Sequence, residues 1–338
     1  MRIIRSTLKK NKMLGAHWYE RSVNRKRVVF AVVIAGVLLM ASIRALVVLK
    51  SDAGKDSDEP KNETYAPGAY IPPEVEHMRV PLHDWELRYR VSEQSEQNRI
   101  AKTVRVFGGI VPHHLAAQSF IAEMFQLLAH RETPPKTVVI LSPNHAETGE
   151  PFVQTASMVW DTPEGSVDTD TKKSEEIAES FKNSLHNEGM RREHGVYNII
   201  PFVKHFLPDA KVVPITLRFA TPANDQNLLV GILSKWLERD TDVVVVASID
   251  FSHYLSSEEA QKKDEETRAA IERYDFSEIA SYRSDHVDTP AGLAVFLRTM
   301  RLLGADHQTV LRYDNSGQTL NRPFAKTTSH FLITFTQM

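Results

Sequence analysis

The hydrophobic pattern changes character at about residue 104. Beyond it, short apolar runs rich in β-branched residues alternate with stretches whose apolar positions recur every three to four residues. The runs predict strands over 104–111, 136–142, 151–157, 211–217, 242–249, 308–313 and 329–336. The periodic stretches predict helices near 115–130, 170–183, 196–206, 222–238, 256–273 and 289–303. The unbroken run Val243-Val244-Val245-Val246 reads as a strand covered on both faces. Such strands alternating with helices predict an α/β fold, an αβα sandwich around a largely parallel or mixed sheet. The expected domain spans 104–338, a size suited to one hydrophobic core.

The upstream pattern is different. Residues 1–27 carry nine Lys or Arg and one acid, Glu20. Residues 28–49 form an apolar run whose only charged residue is Arg44. As a helix those 22 residues extend ~33 Å, enough to cross a bilayer. The pattern predicts an uncleaved signal-anchor: one transmembrane helix, a basic cytoplasmic tail and a C-terminal domain outside the cytoplasm. The lipid bilayer would then be a partner through 28–49, and the location the cell membrane. Residues 50–103 read as a tether and lead-in, with an amphipathic helical pattern after residue 76.

Composition narrows the chemistry. The 338 residues include 41 basic and 43 acidic side chains, a net charge of −2 that gives no footprint for nucleic acid. There is no cysteine. Disulfides, thiolate metal sites and a cysteine nucleophile are therefore excluded. Any metal must be held by nitrogen and oxygen.

Three strands deliver such ligands at their ends. The run 104–111 leads into Pro112-His113-His114, the run 136–142 into Pro143-Asn144-His145, and the run 242–249 into Asp250-Phe251-Ser252-His253. The carboxyl ends of parallel strands share one edge, so these side chains can converge. Imidazoles with a carboxylate suit a facial metal site with open coordination positions. Two further clusters precede helices. Glu193-His194 stands before 196–206, and His286 with Asp288-Thr289-Pro290 before 289–303, where Asp288 or Thr289 also suits an N-cap.

In order, VPHH, SPNH, WDTPEG, EHG, SIDFSHY and DTPAG resemble the Memo family. This is the Memo-like component B of the AmmeMemoRadiSam group, related to class III extradiol dioxygenases. The resemblance covers about 104–338 and implies the αβα sandwich of that superfamily. It implies metal ligation by His113 and His145. The third ligand of the family is often a cysteine before the last helix; here Asp288 stands in that region, with His286 as the alternative. The family's His-Ala-Gly-Tyr is replaced by His113-His114-Leu115-Ala116.

The expected activity is a metal-dependent oxidoreductase of dioxygenase type, with Fe(II) favoured and Cu or Zn as alternatives. His253, oriented by Asp250, is the expected acid/base, and His194 a second proton-transfer residue. His114 and Glu193 are expected on the substrate side, facing a small-molecule or peptide ligand. Other AmmeMemoRadiSam components are expected partners. Two competing functions use the same residues: metal or ligand binding without turnover, and metal-assisted hydrolysis.

Overall fold

A computed structural model describes residues 77–79, 104–321 and 326–337, all within one compact unit, Pro72–Met338. The main sheet contains β2 (Val106–Val111), β3 (Thr137–Pro143), β4 (Val153–Thr155), β7 (Lys211–Leu217), β8 (Val243–Ser248), β10 (His307–Asn315) and β11 (Thr327–Thr336) in the order β10-β11-β2-β8-β3-β7-β4. β9 (His253–Leu255) pairs with β11 beside this path. The four central strands, β2, β8, β3 and β7, are mutually parallel; at the flanks β11 pairs antiparallel with β2, β10 antiparallel with β11, and β4 antiparallel with β7. The mixed α/β sheet expected from the pattern is thus present. A small second sheet joins β1 (His77–Arg79), β5 (Val159–Thr162) and β6 (Gly165–Asp168).

Both faces of the main sheet are covered. Val243, Val245 and Ala247 of β8 belong to one buried cluster, and Val244 and Val246 to another. One cluster includes residues of α6 (Ala223–Arg239) and α9 (Pro290–Leu302), and the other residues of α1 (Gln118–Ala129) and α5 (Ile200–Phe206). The period-two alternation of a strand therefore explains why β8 has no polar face. In β2, Gly108 and Gly109 permit close packing. A Cβ on Gly109 would lie 1.7 Å from Met124 Cε and 2.7 Å from Ile333 O.

Local chemistry sets the helix boundaries. The helix expected from 115 opens as a 3₁₀ turn, Leu115–Ala117, before α1. Asp170 caps α2 (Thr171–Ser180) by accepting the Lys173 N–H. α3 (Asn187–Met190) is an additional short helix. The single helix expected over 196–206 is two, α4 (His194–Tyr197) and α5, with Pro201 in the first turn of α5. The Ser256–Glu259 capping box starts α7 (Ser257–Arg273), which is followed by α8 (Phe276–Ser281). Thr289, rather than Asp288, caps α9; its side chain accepts the Gly292 N–H. α10 (Ser316–Thr319) lies between β10 and β11.

The expected membrane placement is corrected. No helix among the described residues is long and apolar enough to cross a membrane. Residues 1–27, the proposed span 28–49 and the tether to residue 76 lie outside the described residues. The membrane location is therefore carried by no helix of the described residues, and the expected anchor, with its bilayer partner, falls on residues outside them. The helical pattern expected within 76–103 falls on 83–102, outside the described residues; ahead of it, His77–Arg79 forms a strand parallel to β5.

Candidate metal centre

The carboxyl ends of the four parallel strands face one edge, and the histidines gather there. His113 follows β2, His145 follows β3, and His194 opens α4. One nitrogen from each imidazole lies within 4.8 Å of the others. The His113 and His145 rings meet edge-on with centroids 5.0 Å apart, and His145 and His194 stack at 4.0 Å.

Hydrogen bonds orient two of these rings. His113 is 1% exposed. Its Nδ1 is 3.3 Å from Ser248 O and 3.2 Å from Ser248 Oγ. Ser248 Oγ donates its own hydrogen to Gly195 O. That network assigns the ring proton to Nδ1 and leaves the Nε2 lone pair free. His145 Nδ1 lies 2.6 Å from Glu193 Oε1, and the His145 backbone N–H donates to Glu193 Oε2 at 2.8 Å. A carboxylate behind a histidine in this way fixes the ring and raises its basicity as a ligand. Glu193 also caps α4 by accepting the Gly195 N–H. Gly195 must remain without a side chain, because a Cβ there would lie 2.1 Å from Ser142 Oγ and 3.4 Å from His113 Nδ1.

The charges follow from burial and contact. Burial outweighs the Asp250 charge and pulls His113 down to about 4, so the ring is neutral near pH 7. Burial lowers His145, but its hydrogen bond to Glu193 and the charges of Glu193, Asp288 and Asp250 together outweigh that and leave its pKa raised. Burial would raise Glu193, yet its hydrogen bonds, the first with His145, hold it below the usual carboxylate value. His194 is lowered, first by burial and then by the charge of His145.

Two carboxylates stand beside His113. Its Nε2 is 3.4 Å from Asp250 Oδ2 and 3.5 Å from Asp288 Oδ2. Asp250 Oδ1 accepts the His113 N–H at 3.2 Å, while the Asp250 N–H donates to Asp288 Oδ2 at 3.0 Å. Burial and the neighbouring Asp250 push Asp288 well above the carboxylate range. Its Oδ1 is buried without a hydrogen-bond partner. Burial would raise Asp250 as well, but the surrounding histidines, His113 foremost, bring it below its ordinary value. Three imidazoles with an orphaned carboxylate oxygen fit a divalent transition metal.

The other expected residues occupy different positions. His253 lies beyond β8, with its Nδ1 buried and unpartnered; its pKa is lowered, chiefly by burial. His114 is exposed and stacks on His330, with centroids 5.5 Å apart. His286, the alternative third ligand, has Nε2 2.9 Å from Glu266 and Nδ1 3.1 Å from Asp285, so both nitrogens are engaged elsewhere. The sequence reading did not single out Ser248 or His330. His330 is fully buried and neither ring nitrogen has a partner. Its one signal was a histidine inside the apolar run 329–336.

With this geometry in place, the comparisons are informative. The family model described as "Memo-like protein" matches residues 81–325. The chain belongs to the Memo family. A MEMO1 family protein of Pyrobaculum arsenaticum is 27% identical over 259 residues, covering 75% of this chain and 91% of the relative. A MEMO1 family protein of Aquifex aeolicus is 31% identical over 191 residues, 55% of this chain and 70% of that one. The solved structure of the uncharacterized protein JW3007 from Escherichia coli K12 is 13% identical with a TM-score of 0.44, covering 68% of this chain and 99% of its own.

Proposed function

We propose that this Memo family protein is a metal-dependent oxidoreductase of dioxygenase type acting on a small molecule. His113, His145 and His194 hold the metal, with Fe(II) favoured over Cu or Zn for an open nitrogen–oxygen site. The supporting observation is the convergence of three imidazole nitrogens within 4.8 Å. That convergence supports His194 as the third ligand ahead of Asp288, which flanks His113 through its Oδ2 at 3.5 Å. A bound metal supplies Lewis acidity and open coordination positions.

The chain's own residues would handle position and protons. Glu193 holds the His145 ring, and Ser248 and Asp250 hold His113. His253 is the acid/base: burial favours its neutral form, and its unpartnered Nδ1 is free to take a proton. His114 and Glu193 retain their expected substrate-side roles, Glu193 acting through His145.

The test uses the full chain loaded anaerobically with Fe(II), with metal counted by elemental analysis and oxygen uptake followed with catechol as the probe. His113→Ala is expected to lose the metal. His253→Ala is expected to keep it while uptake falls by roughly 10²–10⁴. Metal without uptake would select the binding-protein reading. Metal-dependent ester hydrolysis without oxygen uptake would select the hydrolase.

A further inference from the structure

β9 is distorted one residue beyond His253. Thr328 pairs with His253 and Thr327 with Leu255, so Tyr254 is an extra residue opposite two consecutive positions of β11. A bulge of this kind bends its strand and re-aims a side chain. Tyr254 has φ +60°, in the left-handed region. Glycine is the usual occupant of a left-handed bulge position, because it has no Cβ to clash with the backbone. A bulky residue held there is strained.

Packing does not offset that strain. Tyr254 is 70% exposed, and its aromatic neighbour is His253, with ring centroids 5.8 Å apart. Tyr274 provides the contrast. It too is left-handed, at φ +55°, but it is the C-cap of α7. Its hydroxyl donates to Asp306 O at 3.3 Å, and the Arg301 guanidinium lies 5.2 Å over its ring. The fold accounts for Tyr274. Tyr254 instead holds a large ring in solvent beside the acid/base, whose own backbone N–H is fixed to Ser284 O at 2.9 Å. Strained residues with exposed side chains at a site point to contact with a ligand.

We propose that Tyr254 is a specificity-determining residue whose ring contacts the part of the substrate that projects away from the metal, and that this part is planar and apolar. The role rests on the metal-dependent reading of the centre and on His253 as its acid/base. A tyrosine ring offers a flat apolar face at low cost in side-chain freedom, which suits stacking on an aromatic extension.

The test titrates the full chain, loaded anaerobically with Fe(II), with catechol and with a phenyl-substituted catechol by isothermal titration calorimetry. The wild type is expected to bind the phenyl-substituted probe about tenfold more tightly. Tyr254→Gly is expected to erase that preference and to raise the Tm by about 2 °C through relief of strain. Tyr254→Asn removes the ring in a residue that also tolerates the left-handed region, and it carries the same expectations should the glycine variant fold poorly. Tyr254→Phe keeps the ring and should keep the preference. Equal affinity of the wild type for both probes, or an undiminished preference in the Gly and Asn variants, would overturn the proposal. So would a lower Tm in both of those variants, which would give the ring a structural role. A wild type that binds neither probe would sink the metal-centre reading and this role with it. Preference for the phenyl-substituted probe without oxygen uptake would remove only the dioxygenase chemistry and would support Tyr254 as the selecting residue of a binding site.

Discussion

His330 is an imidazole with no exposed surface and no hydrogen bond to either nitrogen. Each unsatisfied buried group costs ~1–3 kcal/mol. Burial also pulls its pKa from 6.5 to about 4. An unfolded histidine takes up a proton below about pH 6.5, whereas the folded His330 resists it down to about pH 4. Its contribution to stability is therefore full above pH ~6.5 and lost as the pH falls towards 4. At ~1.4 kcal/mol per pH unit, that loss is on the order of 3 kcal/mol. His330→Phe keeps a ring and removes both orphaned nitrogens and the titration. It is expected to raise the Tm at pH 7 and flatten the fall in urea-unfolding stability between pH 6.5 and 4; a lower Tm with an unchanged slope would contradict this. The third ligand is tested at the same scale. Asp288 accepts the Asp250 N–H and burial favours its neutral form, so Asp288→Asn preserves the local bonding. It is expected to retain the metal while His194→Ala loses it, and elemental analysis reads the contrast. The reverse result would restore the His113/His145/Asp288 triad.

Among the elements, α4 sets the geometry despite being four residues long. Glu193 caps it and also orients His145. The backbone of Gly195 packs against the end of β3, with its carbonyl taking the Ser248 hydroxyl that also contacts His113. Gly195→Ala would thrust a methyl onto Ser142 Oγ. A cost of ~1–3 kcal/mol is expected from such overpacking, measurable as a lower urea midpoint with unchanged m, together with weaker metal retention against a chelator. The sequence shows this element only in part. The apolar strands, and three of the histidine-bearing motifs at their ends, were legible because a strand covered on both faces shows a nearly unbroken β-branched run. The split of 196–206 into α4 and α5 was not, because Val196, Ile199, Ile200 and Val203 keep an apolar helical spacing across the break. The β5–β6 hairpin was missed because its strands have four residues each and include exposed polar positions. His330 was hidden for the opposite reason: it sits inside a long apolar strand, where the pattern reports burial and gives no indication of chemistry.

Across the whole molecule, the centre joins separate parts of the chain. His113 follows β2, His145 follows β3 and His194 opens α4, so the ligand positions span 81 residues between 113 and 194. An unfolded chain does not hold these imidazoles together, and a metal that binds only the folded state stabilises it by mass action. At a free metal concentration 100 times the Kd the gain is ~2.7 kcal/mol. The Tm of the full chain is therefore expected to rise with metal concentration and to fall back when the metal is removed by a chelator. His113→Ala should abolish the dependence, because it removes a ligand. His253→Ala should preserve it, because the proposed function gives His253 a proton-carrying role outside the ligand set. Differential scanning calorimetry at several metal concentrations separates these outcomes. Equal metal dependence in the wild type and His113→Ala would place the binding elsewhere on the chain. Loss of the dependence in His253→Ala would make His253 part of the ligand set, and the division between metal-holding and proton-carrying imidazoles would have to be redrawn.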